Sequence, residues 1–314
     1  MTRRRLVLAI NPSASFGQAR DAGPRALALL RAAGHEVRPL VAPDYERLAE
    51  RAAEALADPP DALVVVGGDG MVHLGAGLVG GTAMPLGLIP VGTGNDLART
   101  AGIPRHDIDA AVAALLAALE HEPTRLDTGI ASWTEDGGPR QRRFVGAVSC
   151  GFDAAVNERA NRMQRPRGAI RYQLALAREL IGLRSIDYRI DWDGGRIEQP
   201  GILVSVANNR SIGGGIAITP EASMTDGLLD LFLVEALSRT AFLRIYPRVA
   251  NGTHLADPRV TVLRTRRARI EEAAPRPVVA YADGERLGPL PIEVRVDPAS
   301  LRFLAPRPGA VVPR

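Results

Sequence analysis

The sequence contains no lysine, so all 39 of its basic residues are arginine. That excludes Schiff-base catalysis, the lysine of a P-loop and the strand lysine of protein kinases. A single cysteine, Cys150, excludes an internal disulfide and a cysteine-rich metal site, and fits a reducing cytoplasm. The five histidines form no HExxH or other tight ligand cluster, so a structural zinc is not expected. Aromatic residues make up 4% and no nucleic-acid-binding motif is recognisable, so nucleic acid is not an expected partner. No stretch reaches the roughly 18–20 consecutive apolar residues of a membrane span. The opening MTRRRLVLAINP has a basic cap. Its apolar run of about six residues falls short of the roughly 7–15 of a secretory leader, so Leu6 to Ile10 is expected to be a buried strand.

What is present suits a globular protein. The 314 residues, 46% apolar and 24% charged, allow two domains with sizeable cores. The net charge of +4 is mild and permits contact with an anionic lipid or nucleotide. Strand and helix signals alternate through the first 120 or so residues: apolar runs RLVLAI (5–10), ALVVVG (62–67) and PLGLIPV (85–91), with helices expected near 44–57, 71–79 and 107–120, the last capped by Asp107. Alternation of this kind implies a mostly parallel sheet covered on both faces. After about 125, short β-type segments recur between turns such as Asp193-Gly194 and Asp226-Gly227, including FVGAVSCGF, ILVSVAN, LLDLFLVE and IEVRV. The expected organisation is an α/β domain over 1–127, a β-rich, sandwich-like domain over 128–304 and a tail, or a strand returning to the first domain, over 305–314. One basic helical insert, about 155–184, interrupts the β-rich part.

Ligands of open α/β sheets bind at the carboxyl ends of the strands. Three such ends carry special sequences: Asn11-Pro12-Ser13-Ala14-Ser15, Gly67-Gly68-Asp69-Gly70 and Gly92-Thr93-Gly94-Asn95-Asp96. Glycine lets a phosphate approach the peptide N–H groups, and a following helix adds its positive end. Ser13, Ser15, Thr93 and Asn95 offer neutral donors. A carboxylate at Asp69 beside phosphates makes sense if Mg²⁺ lies between them, or if it orients a nucleophile. The loops are neither a Walker A sequence nor a GxGxxG fingerprint.

At these residues the chain resembles the diacylglycerol kinase catalytic family, which includes sphingoid-base kinases and shares its first-domain fold with NAD kinases and phosphofructokinases. GGDG resembles the family's GGDGT, and PLGLIPVGTGNDLAR (85–99) resembles its PxGxxPxGTxND pattern. Downstream, Asp127 in RLDTG, Gly213-Gly214-Gly215 with Pro220, Asp226-Gly227-Leu228-Leu229-Asp230 and Asp283-Gly284-Glu285 resemble the family's later motifs. Two departures stand out: Met71 replaces the threonine after GGDG, and the glycine of the first turn is delayed to Gly17.

The resemblance implies an ATP-dependent, Mg²⁺-assisted lipid kinase that phosphorylates the free hydroxyl of diacylglycerol to phosphatidic acid. It assigns the nucleotide to Asn11, Pro12, Ser13, Ala14, Ser15, Gly67, Gly68, Asp69, Gly70, Met71, Gly92, Thr93, Gly94, Asn95 and Asp96. The metal network falls to Asp69, Asp96 and Asp127. A second, structural metal falls to Ser223, Asp226 and Leu228, with Ser223 and Leu228 serving through backbone carbonyls. Glu285, or Asp283 beside it, is the expected acceptor of the hydroxyl proton, with Asp69 the other catalytic carboxylate. A cytoplasmic enzyme resting peripherally on the inner face of the plasma membrane follows; by its own residues the arginine-bearing insert reads either as a contact with anionic headgroups or as a solvated helix face over the β-rich domain. A homodimer stays open. Two alternatives also stay open: a kinase for another acceptor (a sphingoid base, phosphatidylglycerol or NAD), and a catalytically silent nucleotide-binding regulator, which the loss of a hydroxyl at Met71 favours.

Overall fold

A computed structural model describes residues 2–11, 19–163, 165, 169–273 and 277–306. The chain divides into two compact units. One ends at Leu126 and resumes from Ala299; the other is Asp127–Pro298.

The first unit is α/β. Its strands are β1 (Arg5–Ile10), β2 (Glu36–Val41), β3 (Ala62–Gly67) and β4 (Leu86–Pro90), and its helices are α1 (Ala19–Ala32), α2 (Tyr45–Ala55), α3 (Asp69–Val79), α4 (Asp96–Thr100) and α5 (Ile108–Ala118). The strands run parallel in the order β2-β1-β3-β4. All six residues of β3 are buried, as expected for a central strand covered on both faces. Helices α2 and α5 begin where an aspartate caps them. Asp44 accepts the N–H of Arg47 at 2.8 Å and Asp107 accepts that of Ala110 at 3.0 Å, each such cap contributing about 1 kcal/mol. Leu48, Ala52 and Ala55 give α2 its buried face, at the four-three spacing of a helix packed on a sheet. The returning chain joins this unit at Ala299, ahead of the expected 305. Phe303 pairs in parallel with Leu86, and the Leu304 N–H donates to Leu86 O at 2.9 Å.

The second unit is β-rich and antiparallel. It opens with a hairpin, β5 (Thr124–Glu135) and β6 (Gly138–Phe144), absent from the expected elements. Its turn is Asp136-Gly137, with φ of 52° and 74°, the left-handed pair of a two-residue hairpin. There follow β7 (Ala147–Gly151), α6 (Phe152–Arg162), α7 (Ala169–Ile181), β8 (Ile186–Trp192), β9 (Gly195–Ala207), β10 (Leu229–Glu235), α8 (Arg239–Ile245), β11 (Val260–Thr265), β12 (Arg267–Glu272), β13 (Val279–Ala282), β14 (Glu285–Pro289) and β15 (Ile292–Phe303). The order β14-β13-β7-β9-β8-β12-β15 runs through this unit, with β10 joining β9 to β11 and β5 joining β6 to β15. The basic insert therefore forms two helices. Alternation along β9 sends Val204 and Val206 to one apolar layer and Leu203 and Ala207 to the other, where α6, α7 and α8 pack.

Candidate active site

In the first unit, β1, β3 and β4 are neighbours, so the loops that follow them meet at one end of the sheet. The Asn11 N–H donates to Val66 O at 3.3 Å, and the Val91 N–H donates to Gly67 O at 3.0 Å. Gly68 and Gly92 touch through their backbones: a Cβ on Gly92 would lie 2.4 Å from the Gly68 Cα. These two glycines serve the close approach of one loop to the other. A Cβ on Gly70 would meet nothing within 4 Å, so that side of the loop is open to a ligand.

Side chains tie the same loops together. The Asp96 N–H donates to Asp69 Oδ1 at 2.7 Å, which connects GGDG to the start of α4. Asn95 is buried with φ 53° and ψ 46°, a left-handed conformation that asparagine tolerates. Its amide folds back on its own loop: Oδ1 accepts from the Gly92 N–H at 3.0 Å and Nδ2 donates to Gly92 O at 2.6 Å. Asn95 thus builds the loop, whereas Thr93 is exposed on it. Asp96 is buried, with Arg99 4.0 Å away. Pro12, Ser13, Ala14 and Ser15 lie outside the described residues.

Met71 departs from its expected role. Its side chain is 2% exposed and lies against Gly67, and its N–H donates to Gly68 O at 2.9 Å. Three residues into α3, the helical turn directs it to the core, not to the open side of the loop. What replaces the family threonine is a packing group.

In the second unit the predicted acids form two clusters. Asp127 is buried. Its N–H donates to Met224 O at 2.6 Å and its Oδ2 accepts from the Gly227 N–H at 2.7 Å, anchoring the segment that carries Ser223, Asp226 and Leu228. Asn208, which sequence reasoning did not single out, joins the two clusters from a buried position. Its Nδ2 donates to Asp127 O at 2.9 Å and to Val145 O at 3.0 Å. The signal was the asparagine pair ending ILVSVANN, a polar break after an apolar strand.

The second cluster is the Asp283-Gly284 turn between β13 and β14. Asp283 has φ 50°, and its carboxylate accepts three backbone N–H groups: Val145 at 2.9 Å, Gly146 at 2.7 Å and Ala147 at 3.2 Å. The carbonyl of Gly284 accepts from Asn161 Nδ2 of α6 at 3.0 Å. Glu285, the next residue, pairs with Ala282 through its backbone in β14, and its exposed carboxylate makes no hydrogen bond or ion pair among the described residues. One acid is thus committed to holding the turn, and the other is presented by it.

The donor sets differ in their fit to a cation. Asp69 supplies a hard carboxylate oxygen beside backbone N–H groups on an open loop, which suits a Mg²⁺-bound phosphate. The expected structural metal at Ser223, Asp226 and Leu228 does not fit. The Arg264 guanidinium is paired with the Asp226 carboxylate, whose other oxygen accepts the Leu228 N–H at 3.0 Å. Among the described residues no group of three or more His, Cys, Asp or Glu side chains could hold a metal ion. Burial pushes the Cys150 thiol well above its ordinary range, in keeping with an inert core cysteine.

Residues 5–130 match the family described as the diacylglycerol kinase catalytic domain, and residues 146–305 match the YegS C-terminal NAD kinase beta sandwich-like domain. The chain is 36% identical over 304 residues to a diacylglycerol kinase of Mycobacterium tuberculosis (strain CDC 1551 / Oshkosh), covering 95% of this chain and 94% of that one. It is 32% identical over 242 residues to the Xanthomonas campestris pv. campestris (strain 8004) protein named "Probable lipid kinase YegS-like", covering 74% and 75%. A solved diacylglycerol kinase structure from Bacillus anthracis str. Sterne matches with a TM-score of 0.70 at 19% identity, over 99% of this chain and 100% of that one. Yeast NADH kinase complexed with NADH matches with a TM-score of 0.57 at 14% identity, over 94% and 78%. At those identities the two structures bear on the fold alone.

Proposed function

Because this chain belongs to the diacylglycerol kinase catalytic family, we propose that it transfers the γ-phosphoryl group of ATP to the free hydroxyl of diacylglycerol, giving phosphatidic acid and ADP. The chain is a kinase-type phosphotransferase, and its relatives are named as lipid kinases. The observation that carries the reading is the joined pair of loops, GGDG held to GTGND by the Gly68–Gly92 contact and the bond from the Asp96 N–H to Asp69. Such a pair offers backbone N–H groups and one carboxylate to a triphosphate without any lysine.

In the proposed reaction the acceptor oxygen forms a bond to the γ-phosphorus, the bond from that phosphorus to the bridging oxygen breaks, and the hydroxyl proton passes to a base. Glu285 is that base, since its carboxylate is exposed and unengaged. Asp283 positions it through the three N–H bonds that fix the turn. Mg²⁺, bound through Asp69 with Asp96 and Asp127 acting through water, would neutralise charge on the phosphoryl oxygens. With Asn95 and Met71 turned into their own loop and core, nucleotide contact falls to Asp69, Thr93 and the loop N–H groups. Residence at the inner face of the plasma membrane is part of the same reading, since the acceptor is a bilayer lipid.

The test is incubation of the pure protein with labelled ATP, Mg²⁺ and a total lipid extract. Labelled phosphatidic acid is the expected product, and Asp69→Ala is expected to abolish it with the circular dichroism spectrum unchanged. A labelled product on another lipid would move the acceptor assignment, and turnover retained in Asp69→Ala would remove Asp69 from the site.

A further inference from the structure

Helix α7 is apolar on two opposite sides. Ala175 is fully buried, and Leu176 and Leu180 pack on the apolar layer that also holds Phe242 and Ile245 of α8. That is the inward face, and Glu179 lies on it, paired with Arg159 of α6. At 100° per residue, Ile170, Leu174, Ala177 and Ile181 fall at four-three-four spacing on the reverse side. There Ile170 is 57% exposed, Leu174 42% and Ile181 70%. The outward side of a helix on a globular protein is ordinarily polar. Seven large apolar side chains are exposed among the described residues, and four of them, with Tyr172, belong to this one helix. The concentration is local, not the scatter that any surface shows.

The charge around the stripe has one sign. Arg165 precedes the helix, Arg178 lies beside Leu174 and Ile181, and Arg184 follows; all three are exposed, and none has an acidic partner among the described residues. Half-buried Arg171 lies over the ring of Tyr172, 5.3 Å from its centre. The helix's one acid, Glu179, is turned inward and neutralised by Arg159. Helix α8, on the same apolar layer, exposes Leu243 (58%) with Arg239 and Arg244, which likewise lack an acidic partner. No helix among the described residues is long and apolar enough to cross a membrane. An apolar stripe edged by arginines is the chemistry of a helix that lies in the headgroup region of an anionic bilayer.

We propose that α7 seats this protein on the anionic membrane surface from which it draws its acceptor, with Ile170, Leu174 and Ile181 entering the headgroup region and Arg165, Arg178 and Arg184 meeting lipid phosphates. The proposal rests on the lipid-kinase reading for the choice of surface. A second copy of the chain would also cover apolar side chains, but a stripe rimmed by uncompensated arginines would then face its own charge, whereas anionic lipid compensates it.

The experiment is vesicle flotation with phosphatidylcholine alone and with phosphatidylcholine–phosphatidylglycerol mixtures. It uses the native chain, Ile170→Ser/Leu174→Ser/Ile181→Ser and Arg165→Gln/Arg178→Gln/Arg184→Gln. Native protein is expected to bind the anionic vesicles at least about tenfold more tightly than the neutral ones. Both variants should lose about tenfold or more of that binding while keeping native turnover on a short-chain diacylglycerol in neutral detergent micelles. Ile181→Ser alone, at the most exposed position, gives the same reading with a smaller loss if the triple variant fails to fold. Equal binding of native and variant proteins to anionic vesicles overturns the proposal. So does a native dimer in sedimentation velocity that the serine variant converts to monomer with vesicle binding unchanged, because the stripe is then a protein interface. Stripe-dependent vesicle binding without turnover on any lipid upholds the surface and removes the lipid-kinase reading instead.

Discussion

Asp283 and Glu285 stand two residues apart and do different things. A carboxylate accepting three backbone N–H groups stabilises a turn that places its own residue at positive φ, and its oxygens are taken up by that role. Glu285→Gln is therefore expected to lower kcat by about 10²–10⁴-fold with an unchanged melting temperature. Asp283→Asn is expected to lower the melting temperature by several degrees as well, since bonds to a charged acceptor contribute about 1.5–3 kcal/mol each. Thermal melts beside steady-state rates separate the two, and equal melting behaviour in both variants would count against the division of labour. A similar economy holds at Asp226, where Arg264 supplies the positive charge that a cation would otherwise bring. Chelation should leave the native melting temperature unchanged. Arg264→Gln should make it rise with added Ca²⁺ or Mg²⁺ as the freed carboxylate binds the ion. A native protein that melts lower in chelator would show that a metal holds this segment after all.

At the scale of elements, the nucleotide half of the candidate site is a matter of loops at neighbouring strand ends. Their repeated glycine and GGDG/GTGND spacing were legible because a backbone that must come within contact distance of another backbone admits no side chain. Gly92→Ala tests this directly. Its Cβ would collide with Gly68, prying the loops apart at a cost of about 1–3 kcal/mol. We expect the Kd for ATP, measured by calorimetry, to rise by about tenfold or more, while α2 and α5, whose caps Asp44 and Asp107 lie away from these loops, stay intact. Helices with a polar cap and a four-three apolar pattern, such as α2 and α5, were equally readable. The hairpin of β5 and β6 was not. Its second strand, GPRQRRF, is mostly exposed and carries three arginines, so alternation gave no signal, and only the Asp136-Gly137 turn marked it.

At the scale of the molecule, each unit closes its own core, and the first does so with chain from the far end of the sequence. Leu301 and Phe303 are fully buried in it and Leu304 nearly so, although the whole second unit, Asp127–Pro298, intervenes. Ending the chain at Pro298 should leave the nucleotide unit open to limited proteolysis, and Phe303→Ala should cost about 3–5 kcal/mol by the cavity it leaves. Melting of Phe303→Ala within a degree of native would mean that the returning segment adds no stability.

By itself the sequence determined the α/β first part with its parallel sheet, the β-rich second part and the glycine turns that follow β3 and β4, because strand burial, helix capping and glycine spacing are local and leave periodic marks. It also determined the family, since its motifs recur along nearly the whole chain. Only the tertiary structure decided where the individual side chains of these motifs turn and what they bond. Met71 turned to the core, Asn95 closed on its own loop, Asn208 joined two acidic clusters and Arg264 paired with Asp226. The reason is physical: the direction of a side chain and its partners far along the chain are set by packing, and no local pattern records them.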